Sequence, residues 1–294
     1  MKKTLLVTGG SGFIGRNLVE QLADVYDVIA PSSSELNLLS KKSVDDFFKA
    51  NKIHTVIHAA THNATHVSDK DLSQVFQSNV RMYFHLVNNN QFFHRMFYFG
   101  SGAEFDKNHY QPLMKEEYFG THIPEDNYGF SKYIMAKHTE TVPNVYNLRL
   151  FGVYGKYEDW RIRFISNVIC MAIFDMDIRI NRNMKLDYLY IDDLVRIVRN
   201  CIELEEIPYH DINICTAKPL DLLDTAELIN SISGKNLPIR VREEGMNPEY
   251  SGDNARLTSL LHSVSFTPVE EAVKALYQWY ERNKSKINKS ELHH

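Results

Sequence analysis

The sequence is short of cysteine, tryptophan and proline, with 3, 2 and 9 of these in 294 residues. Cys170, Cys201 and Cys215 form no C-x-x-C pair, and an odd number cannot close a disulfide set, so reduced, buried thiols are expected. No window approaches the roughly 18 apolar residues of a membrane-spanning helix. The apolar stretch Leu5-Leu6-Val7 ends at Gly9-Gly10, too short for the core of a secretion signal. Charge of one sign is also missing: 33 basic against 37 acidic side chains leave a net charge of −4. That balance gives no electrostatic reason to expect a nucleic acid or an anionic membrane as partner. Repeats, low-complexity tracts and Pro/Gly linkers are absent. What is present, 44% hydrophobic and 24% charged residues, is the composition of an ordinary globular protein, expected in the cytoplasm. His293-His294 resemble the remnant of a purification tag and are set aside.

Short apolar or β-branched runs at 4–8, 27–30, 55–60, 96–100 and 145–150 alternate with helix-period segments at 12–24, 43–50, 72–89 and 131–141. This alternation predicts βαβ units: a doubly wound parallel (Rossmann) α/β sheet covered on both faces. After about Gly155 the alternation becomes irregular. The division expected is a dinucleotide-binding domain over 1–155, with part of 184–216 returning to it. Residues 156–294 form mainly a smaller, partly discontinuous substrate lobe. Val269, Ala272, Val273, Leu276, Trp279 and Tyr280 recur at helical spacing and predict a packed terminal helix.

The first strand runs into Gly9-Gly10-Ser11-Gly12-Phe13-Ile14-Gly15, and a helix begins near Arg16. Within it, residues 10–15 fit G-x-G-x-x-G in the strand–turn–helix setting that the motif requires. Glycines there permit a tight turn and the close approach of backbone to a pyrophosphate, and the helix N-terminus offers free N–H groups to phosphate. An acidic residue ending the second strand would hold a ribose 2′-hydroxyl and favour NAD. Here Pro31-Ser32-Ser33-Ser34 follows, with no carboxylate until Glu35. Hydroxyls of Ser32 and Ser33, with Arg16, could then receive a 2′-phosphate, so NADP is favoured and NAD is the second candidate.

Tyr128 and Lys132 stand four apart, on one face of a helix. A nearby cation stabilises tyrosinate, so Lys132 is expected to lower the Tyr128 pKa. The strand at 96–100 leads into Ser101, a hydroxyl at the C-terminal end where open parallel sheets bind ligands.

With these residues together the sequence resembles the extended short-chain dehydrogenase/reductases of the NAD-dependent epimerase/dehydratase type. The resemblance covers residues 4–280 and includes 8–15, Ile57-His58-Ala59-Ala60, Asn79-Val80, 128–132, 149–155 and 187–193. Within that family, residues 35–39 and 275–280 are most similar to the GDP-L-fucose synthase and nucleotide-sugar 4-ketoreductase branch. The resemblance implies that Tyr128 protonates the reduced oxygen, Lys132 holds the nicotinamide ribose and Ser101 hydrogen-bonds the substrate carbonyl. It also implies that Asn37 and Leu38 cradle the adenine, that Ala59 and Ala60 lie against the cofactor, and that the protein is a homodimer.

Departures from the family pattern narrow the expected reaction. Family members that epimerise at C3/C5 use a cysteine two residues past the serine and a histidine in the substrate lobe. Here the first position is Ala103, and residues 156–166 hold no histidine. Dehydratases carry an Asp-Glu pair where this chain has Ala103-Glu104. Gly152 replaces the family's usual asparagine, and Leu186 replaces the arginine that commonly grips the substrate diphosphate. Lys185, Arg182, Arg161 and Arg163 are the replacement candidates. The expectation is NADPH-dependent reduction of a nucleotide-diphosphate 4-keto-(6-deoxy)sugar without C3/C5 epimerisation. A nucleotide-sugar epimerase that retains NAD and a non-catalytic dinucleotide-binding regulator are the alternatives.

His54, His58, His62 and His66 recur every four residues, but the first two fall on a strand about 13 Å apart, so no metal site is expected. Asp192-Asp193 read as a helix cap, and Asn88-Asn89-Asn90 as a helix end.

Overall fold

Along the first strand, Leu5 and Val7 face one hydrophobic core while Leu6 faces another, the period-two signature of a strand covered on both sides. The computed structural model describes residues 2–62, 65 and 70–292. The first half contains β1 (Thr4–Thr8), α1 (Phe13–Leu22), β2 (Asp27–Ile29), α2 (Lys41–Ala50), β3 (Thr55–His58), α3 (Val75–Val87), β4 (Arg95–Ser101), α4 (Asn127–Thr139) and β5 (Val145–Leu150). Then follow β6 (Gly152–Tyr154), α5 (Phe164–Ile173), β7 (Ile178–Asn183), β8 (Lys185–Leu186), β9 (Tyr188–Tyr190), α6 (Ile191–Glu203) and β10 (Asp211–Ile214). The chain closes with β11 (Leu220–Asp221), α7 (Leu222–Ser233), β12 (Ile239–Met246), α8 (Ala255–Leu261) and α9 (Val269–Arg282).

The main sheet has six strands in the order β10-β5-β4-β3-β1-β2, all paired in parallel. One face is covered by α1 and α6, with Leu257 of α8 packed into the same core. On the other face lie α2, α3 and α4. Strand order reverses between β1 and β3, and the crevice outside their C-terminal ends is where such sheets hold dinucleotides. A third core joins α5, α7 and α9 to β7, which pairs in parallel with β12. The terminal-helix stripe packs here through Ala272, Val273, Leu276 and Tyr280. Among the described residues no helix is long and apolar enough to cross a membrane.

Three local readings change. Helix α4 begins at Asn127 rather than 131, because Asp126 caps it and accepts N–H bonds from Tyr128 (3.1 Å) and Gly129 (2.8 Å). Tyr128 and Lys132 therefore lie on one continuous helix. Asp193 is no cap: Tyr190 holds that position, and the Asp193 carboxylate is buried, accepting from Thr267 N–H (2.8 Å) and Thr267 Oγ1 (2.7 Å). It pins the approach to α9 onto α6. Asn89 is likewise more than a helix end, since its buried amide donates to Asp45 Oδ1 at 2.9 Å and ties α3 to α2.

The nucleotide turn is shaped by contact as much as by backbone freedom. Gly9 has φ +71°, and a Cβ there would lie 2.7 Å from the Ala60 backbone. A Cβ on Gly15 would fall 2.1 Å from Gly9 O. Gly15→Ala is therefore expected to destabilise the fold by about 1–3 kcal/mol. Reduced-nicotinamide binding should weaken with it; thermal unfolding and cofactor titration measure both, and an unchanged melting temperature would contradict this packing.

Candidate active site

The glycine turn closes through Gly12 N–H on Gly9 O at 3.0 Å, and α1 then starts with no side chain capping it and no acidic residue in its first turn. Uncapped first-turn N–H groups and the positive end of the helix dipole suit a pyrophosphate. Gly9 and Gly15 pack backbone to backbone, and Ala59 and Ala60 border the turn directly. Thr8 Oγ1 accepts from Ala60 N–H (3.3 Å) and lies within hydrogen-bond distance of His58 Nδ1 (2.8 Å). His58 is buried, and burial together with the Lys132 charge pulls its pKa down to about 3, which makes it a neutral structural ring. Phe13 and Ile14 pack against the core beneath the turn.

The groups expected at the adenosine end are less uniform. Arg16 is held by Glu20 at 3.2 Å and stacks 3.7 Å from the Tyr157 ring centroid, so it is engaged with the segment after β6 rather than free for a phosphate. Ser32 and Ser33 are exposed, but the Glu35 carboxylate folds back to accept from Ser32 N–H (2.7 Å) and Ser32 Oγ (2.8 Å). A negative charge thus returns to the end of β2, and the Ser32 bonds hold it ionised by lowering its pKa. Asn37 is exposed, with its side chain folded onto Leu39 N–H at 3.0 Å. Leu38 packs into the α2–α3 core, which leaves only its backbone for an adenine.

At the end of β4 the turn Gly102–Glu104 is a capping box: Ser101 Oγ accepts from Ala103 N–H at 3.1 Å, and Glu104 Oε1 accepts from Ser101 N–H at 2.9 Å. Helix α4 packs tightly on this turn, since a Cβ on Gly129 would lie 2.7 Å from Ala103 O. That contact brings Tyr128 to Ser101. Burial raises the Tyr128 pKa, while a hydrogen bond from Ser101 and the charge of Arg163 oppose the rise. Lys132 donates to Phe99 O at 2.8 Å, with its ammonium 4.7 Å from the Tyr98 ring centroid and 5.7 Å from that of Tyr128. Its charge is not among the main influences on the phenol, whose pKa burial raises, so the lowering expected from the four-residue spacing is not what the structure shows. Burial brings the Lys132 pKa down to about 8.

Several site residues carried no role in the sequence reading. Asn79 Oδ1 accepts from His62 N–H at 2.7 Å and fixes the chain just past Ala60. Glu104 and Arg149 form a fully buried ion pair at 2.6 Å under the serine. Tyr250 brings its hydroxyl against Gly102, where an added Cβ would lie 2.5 Å away. The S-x-x-E spacing of Ser101 and Glu104 was the readable signal for the capping box; nothing in sequence distance could connect residue 250 to residue 102.

Of the candidate cations, Arg161 is paired with Asp159 (2.8 Å) and Arg182 with Glu243 (2.7 Å). Arg163 has no ion pair among the described residues, and its charge reaches both Tyr128 and Glu158. Lys185, exposed on β8, is likewise without an ion pair among them. Of the two histidines expected on one strand, only His58 lies on β3; His54 stands just before it, and His66 falls outside the described residues; among those described, no three His, Cys, Asp or Glu side chains gather to hold a metal. All three cysteines are free and buried.

The chain is 21% identical to a GDP-L-fucose synthase of Azorhizobium caulinodans, over 95% of this chain and 96% of that one. It is 26% identical to the dTDP-4-dehydro-6-deoxyglucose reductase of Escherichia coli, over 83% and 88%. The fold is shared with a GDP-D-glycero-L-gluco-heptose synthase of Campylobacter jejuni solved with NADPH, at TM-score 0.83 and 18% identity over 96% of this chain and 98% of that one. Other solved chains of this fold carry NADP or NAD. Residues 5–215 match the NAD dependent epimerase/dehydratase family. With its glycine turn at the switch point of the sheet and its serine, tyrosine and lysine around the end of β4, the chain belongs to that family, the NAD(P)-dependent enzymes of the extended short-chain dehydrogenase/reductase type.

Proposed function

We propose that the protein reduces a nucleotide-diphosphate 4-keto-(6-deoxy)sugar with NADPH and does not epimerise C3 or C5. The observation that carries this reading is the pairing of Ser101 with Tyr128 beside a carboxylate, Glu104, whose two oxygens are both occupied. Oε1 takes Ser101 N–H, and Oε2 takes Arg149 Nε (2.6 Å) and Asn147 Nδ2 (2.8 Å). A proton donor is in place, while Ala103 and residues 156–166 offer no cysteine or histidine to strip a carbon-bound proton.

The dinucleotide would lie with its pyrophosphate on the first turn of α1 and its nicotinamide ribose at Lys132. When bound, it supplies a hydride to the keto carbon. Ser101 holds the keto oxygen, and Tyr128 gives its phenolic proton to that oxygen as the alcohol forms, leaving a phenolate that takes up a proton from solvent. Burial favours the protonated phenol, the form a reductase needs before turnover. Arg163, without an ion pair among the described residues and with its charge felt at Tyr128, takes the place of the missing arginine at Leu186 as the cation toward the substrate.

Tyr128→Phe should bind NADPH normally and lose turnover by roughly 10²–10⁴-fold. The measurement is loss of reduced-nicotinamide absorbance with GDP-, dTDP-, UDP- and CDP-linked 4-keto-6-deoxysugars. Near-normal turnover by the variant would overturn the role, and a cofactor that survives purification and is unchanged after catalysis would replace the reductase with an epimerase. Arg163→Ala should raise the substrate KM by about tenfold while cofactor affinity holds. The Glu35 carboxylate at Ser32 repels a 2′-phosphate, so Glu35→Gln should raise the NADPH-over-NADH affinity ratio by on the order of tenfold. Titration of both cofactors into the variant reads this directly, and an unmoved ratio would mean that the 2′ position lies away from Ser32.

A further inference from the structure

We propose that Glu104 is a positioning residue: it orients Ser101 through the backbone and sets the electrostatic environment of Tyr128, its own charge being balanced by Arg149. The role rests on the reductase reading above, and it assigns Glu104 no proton transfer of its own.

Ser101 is the N-cap of the turn Gly102–Glu104, and its N–H is held by Glu104 Oε1 at 2.9 Å. The fit leaves no slack, because a Cβ on Gly100 would lie 2.1 Å from that same oxygen and 2.0 Å from Asn147 Oδ1. Glu104 Oε2 is taken by Arg149 Nε (2.6 Å) and Asn147 Nδ2 (2.8 Å). Arg149 continues outward to Asn213 Oδ1 (3.0 Å) and Asp211 Oδ2 (3.1 Å). Neither member of the pair is exposed to solvent. A buried carboxylate with both oxygens engaged is badly placed to collect a carbon-bound proton. It is well placed to fix a hydroxyl whose direction the reaction depends on.

The charged and titratable groups around Tyr128 define what Glu104 should do to it. Ser101 and Arg163 lower its pKa, Glu104 and Asp126 raise it, Lys132 lies 5.7 Å from its ring centroid, and Tyr98, Tyr110 and Tyr250 are electrostatically coupled to it. Neutralising Glu104 removes a negative charge and leaves Arg149 less balanced, and both changes favour tyrosinate. Tyr128 in Glu104→Gln should therefore ionise at lower pH than in the parent enzyme.

The test measures Tyr128 ionisation by ultraviolet difference titration, subtracting the matching Tyr128→Phe protein in each background. Glu104→Gln should bind NADPH within about twofold of the parent and ionise Tyr128 at lower pH. Where a keto-sugar substrate is in hand, it should lose kcat by at least tenfold with KM nearly unchanged. The double variant Glu104→Gln/Arg149→Met replaces the buried pair with neutral groups of similar size while Gln keeps an acceptor for Ser101 N–H. It guards against failure of the single variant to fold, and its Tyr128 titration should return toward that of the parent. An unmoved titration in Glu104→Gln overturns the proposal, as does a double variant whose titration fails to return or a kcat near that of the parent. Silence of the parent enzyme on every keto-sugar would refute the proposed reaction alone, since the titration needs no substrate.

Discussion

Burying a carboxylate and a guanidinium together costs several kcal/mol per ion before their attraction and their hydrogen bonds offset it. Among the described residues, the ion pair with neither member exposed stands at the end of β4, in the half of the sheet closed by β10. Glu104 from the end of β4, Arg149 on β5 and Asp211 and Asn213 on β10 satisfy one another in a row across three neighbouring strands. The row reaches further: Asn213 Nδ2 donates to Met114 O (2.9 Å) and Asp253 O (3.1 Å), and Arg256 pairs with Asp211 and Glu117. The loop between β4 and α4 and the segment leading into α8 are thus bolted to the same charges that lie under Ser101. Removing Glu104 or Arg149 leaves a buried charge without its close partner, so these segments hold their places together.

Much of this architecture was legible in the sequence, and for identifiable reasons. Strands buried on both faces, such as β1 with its buried Leu5-Leu6-Val7, write themselves as unbroken apolar runs. The nucleotide turn was readable because a glycine at Gly9 and another at Gly15 answer contacts that no side chain could survive. A strand end and a four-residue helix spacing singled out Ser101, Tyr128 and Lys132, and the fold brings them together around the end of β4. Harder to read were features that depend on side-chain direction. Glu35 looked too distant from β2 to matter until its carboxylate turned back onto Ser32. Arg16 looked available until Tyr157, with φ +73°, placed its ring beneath the guanidinium. Leu38 was picked out by motif alone, and nothing in that motif told that its side chain belongs to the core and leaves only the backbone toward a cofactor.

Contacts over long sequence separation were beyond any local pattern. Tyr250 lies between Tyr110 and Phe151, with ring centroids 5.1 and 5.2 Å away, and reaches Gly102 from the far end of the chain. Its backbone is set by bonds with Lys185 O and Asp187 N, both 3.0 Å, in the stretch that includes Leu186. Buried Glu158, whose pKa burial raises to about 8, rests on Ser166 and beside three tyrosines of the third core. Periodicity gives the helices that carry such groups, but only packing decides which of them meet.

The late arrival of β10 has a consequence for how this chain is made. Its partner β5 ends at Leu150, whereas β10 begins at Asp211, about 60 residues further along. A ribosome that has delivered everything up to Gly155 has released five strands of the main sheet, whose member β5 still presents a bare row of backbone donors and acceptors. That edge is an invitation to pair with another nascent chain. At that moment the Arg149 guanidinium also lacks Asp211 and Asn213, so the open edge is a charged and incompletely packed one. Synthesis at roughly 5–20 residues per second keeps it open for several seconds. The sheet begun by β1 to β5 is therefore not complete at Gly155: its last strand is encoded behind β6, α5, β7, β8, β9 and α6.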